Sequence, residues 1–217
     1  NQNFYPGEAL LFWAASLQQN HDEALLERAL KSFSYYRKHF RKSRNPAFVP
    51  WHTQAAAILY KLTGKAELRD FIFEMNDWLL AHQQWGGSLP KDCWGRFFTP
   101  EKPSYGPPHA SATGVYLEGL VDAWALAKEL GDSQREAAYQ RAIERGIRSI
   151  AQLQYRDEID AYYICRREQV MGAIRTEADN NEIRIDNLQH GLMALLKFQR
   201  LNFGANLYDR LNPKRQL

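Results

Sequence analysis

Residues 63–66, Thr63-Gly64-Lys65-Ala66, form a short break between two long stretches of helical hydrophobic periodicity. Similar four-residue breaks occur at residues 19–22 and 130–133. Glycine is favoured just after a helix end because it adopts a left-handed backbone conformation without steric cost. Each break therefore predicts a tight turn that joins two antiparallel helices into a hairpin.

The hydrophobic periodicity predicts an all-α chain. Asp22 is a suitable N-cap for the second helix, and Gly64 is a suitable residue to follow the third. The predicted helices span approximately residues 6–19, 22–41, 50–64, 66–83, 109–130, 133–154 and 183–201. A β-hairpin excursion is predicted near 160–176, with strands at 161–165 and 172–175. Residues 1–217 are predicted to form a single domain with a loose tail at 202–217.

The odd-numbered helices are rich in small residues, whereas the even-numbered helices carry charge on one face. We therefore expect an inner layer of odd helices and a solvent-facing outer layer of even helices. The spacing between turns is uneven, with 44 residues from Asn20 to Gly64 and 67 from Gly64 to Gly131. Uneven spacing favours repeated hairpins in an (α/α) toroid or partial toroid over an open array of the tetratricopeptide type.

The charge is nearly balanced, since 28 Lys and Arg residues face 25 Asp and Glu residues. A net charge of +3 does not favour nucleic acid as a partner. The basic run 37–44 either complements a helix C-terminus or contacts an acidic ligand. No apolar run is long enough to predict a transmembrane helix. The two cysteines do not decide the compartment, and a periplasmic or secreted location is preferred to the cytoplasm.

The inner helices begin at the end of the array that carries the long connections, where a functional site is expected. These helix starts supply carboxylate and imidazole groups suited to proton transfer. A structural alternative to a catalytic role exists for three of them. His52 and His109 could cap their helices, and Glu8 could serve only to complement the helix dipole. Asp186 and His190 share one helix face because they are four residues apart. The candidate catalytic residues are Glu8, His52, His109, Tyr163, Asp186 and His190.

Aromatic and charged residues near the same helix starts are candidates for substrate binding. Aromatic rings provide stacking platforms for sugars, although simple loop packing is an equal alternative. If the substrate is a uronic acid, Arg175 and Arg184 are expected to hold its carboxylate. The candidate substrate-binding residues are Trp51, Trp94, Tyr105, Tyr162, Arg175, Glu177 and Arg184.

The sequence predicts no cofactor and no metal. It contains neither a P-loop nor a GxGxxG motif. The Asp186 and His190 pair has the spacing of two metal ligands, but no third ligand of matching pattern accompanies it.

Three segments resemble helical modules of the α/α-toroid superfamily: Tyr5-Pro6-Gly7-Glu8-Ala9-Leu10, Pro50-Trp51-His52, and Arg184-Ile185-Asp186-Asn187-Leu188-Gln189-His190. That superfamily includes six-hairpin glycosidases, N-acylglucosamine 2-epimerases, polysaccharide lyases and the C-terminal domain of glucuronyl C5-epimerases. The resemblance extends over residues 4–201 and implies a carbohydrate-active site in the mouth of the ring. The chain supplies fewer hairpins than a full toroid, so an additional protein segment that completes the ring is an expected partner.

Two functions therefore compete. The first is a carbohydrate-active enzyme that uses general acid–base chemistry on a saccharide substrate, with anionic saccharides among the candidates, in hydrolysis, epimerisation or elimination. The second is a non-catalytic helical module that binds a partner protein in its concave face. The second predicts that His52→Ala and Asp186→Asn leave function intact.

Overall fold

The computed structural model describes residues 2–203, and that range is mostly helical. Its elements follow the predicted order, with helix ends within three residues of the predicted ones. The helices are α1 (Tyr5–Gln19), α2 (Glu23–Lys42), α3 (Val49–Thr63), α4 (Ala66–Leu80), α5 (Ala110–Glu129), α6 (Ser133–Gln152) and α7 (Ile185–Phe203). The all-α prediction is confirmed for the described residues.

The hairpin turns contain the two predicted caps, Asp22 and Gly64, and a further one at Asp132. The Asp22 carboxylate accepts a hydrogen bond of 3.0 Å from the Leu25 amide at the start of α2. The Asp132 carboxylate does the same for the Arg135 amide at the start of α6, at 3.1 Å. Gly64 follows α3 with φ of 67°, a conformation that glycine adopts without a Cβ penalty. These caps satisfy helix-end groups that would otherwise lack partners.

The odd helices form a row in which α1 packs on α3, α3 on α5, and α5 on α7. Each even helix packs on the odd helix before it, so α2 lies on α1, α4 on α3 and α6 on α5. The buried positions are densest on α3 and α5, the two middle members of the row. The chain thus has helical-repeat character with two layers, as the small-residue and charge patterns predict.

Glycines bring the inner helices into close contact. A Cβ added at Gly119 of α5 would lie 2.7 Å from the Cα of Pro50 on α3. A Cβ added at Gly114 would lie 2.8 Å from the backbone nitrogen of Gly191 on α7. Both distances are shorter than real Cβ contacts allow. Glycine at these two positions is therefore what permits neighbouring inner helices to approach this closely.

The basic run after residue 36 contacts acidic residues of the next outer helix. Arg41 of α2 donates to Glu74 of α4 through Nη2 at 2.6 Å and through Nε at 3.0 Å. Arg37 of the same helix lies 3.2 Å from Glu67. The outer helices are therefore linked by ion pairs that solvent reaches, each of which contributes little to stability.

The predicted β-hairpin exists but lies further along the chain. Strand β1 (Arg175–Glu177) pairs antiparallel with β2 (Asn180–Ile183), and Ile174 forms an isolated bridge with Gln154. The prediction of a strand at 161–165 is wrong, because this segment forms turns. The Asp157 carboxylate accepts from the Ile159 and Asp160 amides just before it, and such Asx contacts favour turns over strands.

The structure describes only the first two residues of the predicted tail at 202–217. Asn202 and Phe203 belong to α7, and residues 204–217 lie outside the described range. Among the described residues, no helix combines the length and apolar character needed to cross a bilayer. Cys93 and Cys165 are both free thiols.

Candidate functional site

A cleft with a volume of about 290 Å³ lies at the N-terminal ends of the inner helices. Seven of the sequence-predicted site residues line it: Glu8, Trp51, Tyr105, His109, Arg184, Asp186 and His190. Phe4, Ala47, Ser111, Ala112, Val115 and Tyr116 also line it, together with the backbone around Gly106. The volume is at the lower end of the range for small-molecule sites.

Local sequence explains why these helix starts face one another. Proline occupies the first turn of both α1 and α3, where its missing amide hydrogen is not needed. Pro107 and Pro108 lead directly into His109, which is the N-cap residue of α5. The short strand β2 ends at Ile183, two residues before α7 begins. Each inner helix thus starts at a fixed point beside the cleft.

Asn187 joins three of the elements that surround the cleft. Its Oδ1 accepts from the Ser111 amide in the first turn of α5, at 3.2 Å. Its Nδ2 donates to the Ile174 carbonyl and to the Thr176 hydroxyl, at 3.3 and 3.0 Å. The side chain is fully buried, so these bonds replace the water that it would otherwise bind. This one amide therefore ties α7 to both α5 and β1.

Arg184 and Asp186 form a bidentate ion pair at the start of α7. Two guanidinium nitrogens of Arg184 lie 3.0 and 2.7 Å from the Asp186 carboxylate oxygens. Partial burial raises the pKa of Asp186, but the hydrogen bonds and positive charge of Arg184 more than offset this, and the pKa lies below its ordinary value. Asp186 is therefore a carboxylate at neutral pH, suited to accept hydrogen bonds rather than to donate a proton.

His190 faces the cleft on one side and a buried carboxylate on the other. Its Nδ1 lies 2.7 Å from Oε1 of Glu118 on α5, and Glu118 is only 4% exposed. Glu118 is not among the site residues predicted from the sequence. The signal was present, since Glu118 is a single acid within the apolar run Tyr116-Leu117-Glu118-Gly119-Leu120, and an unpaired buried charge is costly.

His109, the N-cap residue of α5, pairs with the β-hairpin. Its Nε2 lies 3.5 Å from Oε1 of Glu177 on β1. Glu177 is therefore beside the cleft, held by one of the cleft residues. This contact and the Asn187 bonds place the β-hairpin as a wall of the site.

The aromatic residues of the cleft are held by ring contacts. The indole of Trp51 meets the imidazole of His190 edge to face, with ring centroids 6.0 Å apart. Tyr105 is contacted by the edges of Trp78 and His82 at 6.0 and 5.4 Å. Rings fixed in this way offer a rigid apolar surface at low entropic cost.

His52 lies outside the cleft. It is 2% exposed, its ring stacks on Phe48 at 3.5 Å, and its Nδ1 bonds the Phe48 carbonyl at 2.9 Å. A Cβ added at Gly7 would lie 2.8 Å from this ring. Burial lowers the pKa of His52 to about 4. A neutral, enclosed ring of this kind packs in the α1–α3 contact. The predicted alternative of a structural cap is not observed either, because no side chain caps the start of α3.

Four further candidates lie away from the cleft: Tyr162, Tyr163, Arg175 and Trp94. Two of them form a cluster with Asn181, in which the Tyr163 hydroxyl donates to Asn181 at 3.0 Å and Arg175 approaches the same hydroxyl at 3.5 Å. Tyr162 is 75% exposed beside it. Trp94 packs against Trp85 at 5.2 Å, next to α6.

The cleft therefore combines carboxylates, imidazoles and aromatic rings around one small volume. Its one arginine side chain, Arg184, is already engaged by Asp186. Within residues 2–203 no group of three or more His, Cys, Asp or Glu residues is arranged to hold a metal ion.

Comparison of the chain with protein-family models, with curated proteins and with solved structures gave no match. The function must accordingly be argued from the side chains of the cleft.

Proposed function

We propose that the chain is a carbohydrate-active enzyme that uses general acid–base chemistry on a saccharide bound in the cleft. The observation that carries the proposal is the meeting of Glu8, His109, Asp186 and His190 with the rings of Trp51 and Tyr105 around about 290 Å³. Hydrolysis, epimerisation and elimination at a sugar all require positioned proton-transfer groups, and rigid rings beside them offer a stacking surface for the sugar.

The charges of the cleft favour a neutral saccharide over an acidic one. Glu8 and Asp186 supply negative charge, and the Arg184 guanidinium already donates two hydrogen bonds to Asp186. Arg175, the other arginine considered for a uronate, donates within the separate tyrosine cluster. A sugar carboxylate would have to displace an existing bidentate ion pair.

We also propose that the helices form an arc of an (α/α) toroid. The row α1, α3, α5 and α7, with an even helix behind each of the first three, is the order expected of an arc of an (α/α) toroid. A site at the N-terminal ends of the inner helices is then a site in the mouth of that arc. An additional protein segment that completes the ring stays a prediction.

A glycan-binding screen followed by a turnover assay tests the proposal. Wild type is compared with Trp51→Phe and Glu8→Gln, which alter the cleft without adding bulk. Tyr35→Ala is the control, since Tyr35 is an exposed aromatic residue on α2. We expect one class of saccharide to bind, with binding weakened at least tenfold by the cleft variants and unchanged in the control.

Two results would overturn the proposal. One is the absence of any bound or converted saccharide. The other is equal weakening by Tyr35→Ala, which would show that the sugar contacts a surface other than the cleft. Retention of an unrelated protein partner by all three variants would favour the non-catalytic module instead.

A further inference from the structure

Glu118 is a carboxylate in the interior of the inner layer. It is 4% exposed and lies in the middle of α5, between residues that pack in the core. Such a group is costly to bury unless a hydrogen-bonding or charged partner meets it. The partner is His190 of the neighbouring inner helix, at 2.7 Å.

The bond fixes where the imidazole carries its proton. A carboxylate only accepts hydrogen bonds, so the Nδ1 that faces Oε1 of Glu118 is the donor. In the neutral ring the proton then resides on Nδ1, and Nε2 has a free lone pair. Within the described residues Nε2 of His190 has no protein partner and is not fully enclosed, and His190 lines the cleft.

Close packing of α5 against α7 fixes the backbone from which the ring projects. Gly114 brings the α5 backbone against His190 and Gly191, so that a Cβ there would lie 2.8 Å from the Cβ of His190. Trp51 meets the ring from α3. The imidazole is thus bounded by α5 and by an indole, with its Nδ1 edge at the carboxylate.

We propose that Glu118 is a positioning residue that holds His190 as the Nδ1–H tautomer and so makes Nε2 the proton-accepting atom of the cleft. The role in chemistry rests on the proposed function. In that reaction Nε2 takes a proton from a water or sugar hydroxyl, the oxygen keeps the bonding electrons, and the proton later returns to product. Glu118 keeps its charge throughout and stabilises the transient imidazolium.

The test is ¹⁵N NMR of the histidine rings in the full chain, which needs no substrate. The signals of His190 are assigned among the six histidines with a His190→Gln variant. We expect the wild-type ring to show a protonated Nδ1 and an unprotonated Nε2 at a pH where it is neutral. Glu118→Gln is expected to raise the Nε2–H form several-fold, because its amide donates as well as accepts.

Asp122→Asn is the matched control. Asp122 lies one turn further along α5 and also faces α7, but it pairs with Lys197 at 2.8 Å instead of a histidine. The control removes the same charge from the same helix and should leave the His190 tautomer unchanged. Circular dichroism checks that each variant folds. If Glu118→Gln does not fold, the tautomer of His190 in the wild type decides the proposal by itself.

An Nε2–H tautomer in the wild type, or an unchanged tautomer in folded Glu118→Gln, would overturn the inference. The outcome is separable from that of the glycan screen. The expected tautomer without any bound saccharide would refute the proposed function alone, whereas saccharide turnover with the Nε2–H tautomer would refute the positioning role alone.

Discussion

Two histidines occupy similar places in the row of inner helices but lie in opposite surroundings. His52 of α3 lies against Gly7 of α1, and His190 of α7 lies against Gly114 of α5. Each histidine therefore lies where the neighbouring helix has no side chain, His52 with its ring and His190 with its Cβ and backbone. His52 bonds a carbonyl of its own helix, whereas His190 bonds a carboxylate across the interface.

The partner and the exposure decide what each ring can do. A carbonyl stabilises an imidazolium far less than a carboxylate does, and burial lowers the pKa of His52 to about 4. His52 stays neutral and closes the α1–α3 contact. His190 keeps one nitrogen at the cleft and has a negative charge behind the other.

The largest expected effect comes from Asn187, which holds α7 and His190 in place. Asn187→Ala removes three buried hydrogen bonds and leaves the Ser111 amide and the Ile174 carbonyl without this partner. We expect a loss of about 4 kcal/mol in the free energy of unfolding, measured by urea denaturation. Asn181 is an exposed asparagine on β2, and Asn181→Ala should lower the free energy of unfolding much less. Equal losses would contradict the central role of Asn187.

The next effect is the pH dependence of the free energy of unfolding that the buried His52 contributes. Its pKa is 6.5 in an ordinary setting and about 4 in the fold, so the unfolded chain binds a proton first as pH falls. The stabilisation that depends on a neutral His52 is present above pH 6.5 and declines as pH falls through this window. The loss in the free energy of unfolding reaches about 3 kcal/mol below pH 4.

His52→Phe removes that titration while keeping an aromatic ring on Phe48. The difference between the stability curves of wild type and variant, followed from pH 7 to pH 4, isolates the histidine from other groups that titrate there. Between pH 7 and pH 4 the wild type should lose about 3 kcal/mol of stability relative to the variant. Parallel curves would show that His52 is not held neutral.

A smaller loss is expected when the α5–α7 contact is forced apart. Gly114→Ala places a Cβ 2.8 Å from backbone atoms of His190 and Gly191, and overpacking of this kind costs about 2 kcal/mol. Gly191→Ala is the control, since its nearest contact is the flexible Ile150 Cγ2 at 3.1 Å. Thermal unfolding should show the larger drop for Gly114→Ala. A gain in stability at residue 114 would mean that helix propensity outweighs the contact.

The smallest effect on stability is expected for Arg184. Arg184→Gln breaks a partly exposed ion pair with Asp186, which contributes less than about 1 kcal/mol. The pKa of Asp186 should rise, because Arg184 lowers it in the wild type. Carboxyl ¹³C NMR during a pH titration measures the rise. An unchanged Asp186 titration would show that the ion pair does not form in solution.

The helices and their caps could be predicted because their signals are local. The Gly64 turn and the Asp22 and Asp132 caps involve residues within four positions of one another. The layer order was also predictable from small and charged faces. The segment at 161–165 was misjudged because an apolar run does not reveal an upstream Asx turn at Asp157.

The site was predictable only to the level of helix starts. Glu8, His109 and His190 reach the cleft, as expected for residues that begin or follow inner-helix starts. His52 does not, because the direction of its ring depends on Gly7, which is 45 positions earlier in the chain. Glu118 was missed because its partner is 72 positions away. Both outcomes depend on contacts between helices, which periodicity does not encode.

The contact between Trp51 and His190 also gives the cleft an optical signal of its own. Indole emission responds to the polarity and charge around the ring, and here a titratable imidazole lies 6.0 Å from it. Subtracting the spectrum of Trp51→Phe from that of wild type separates this indole from the other five tryptophans. Occupancy of the cleft and the protonation of its imidazole can then be followed by fluorescence without a label.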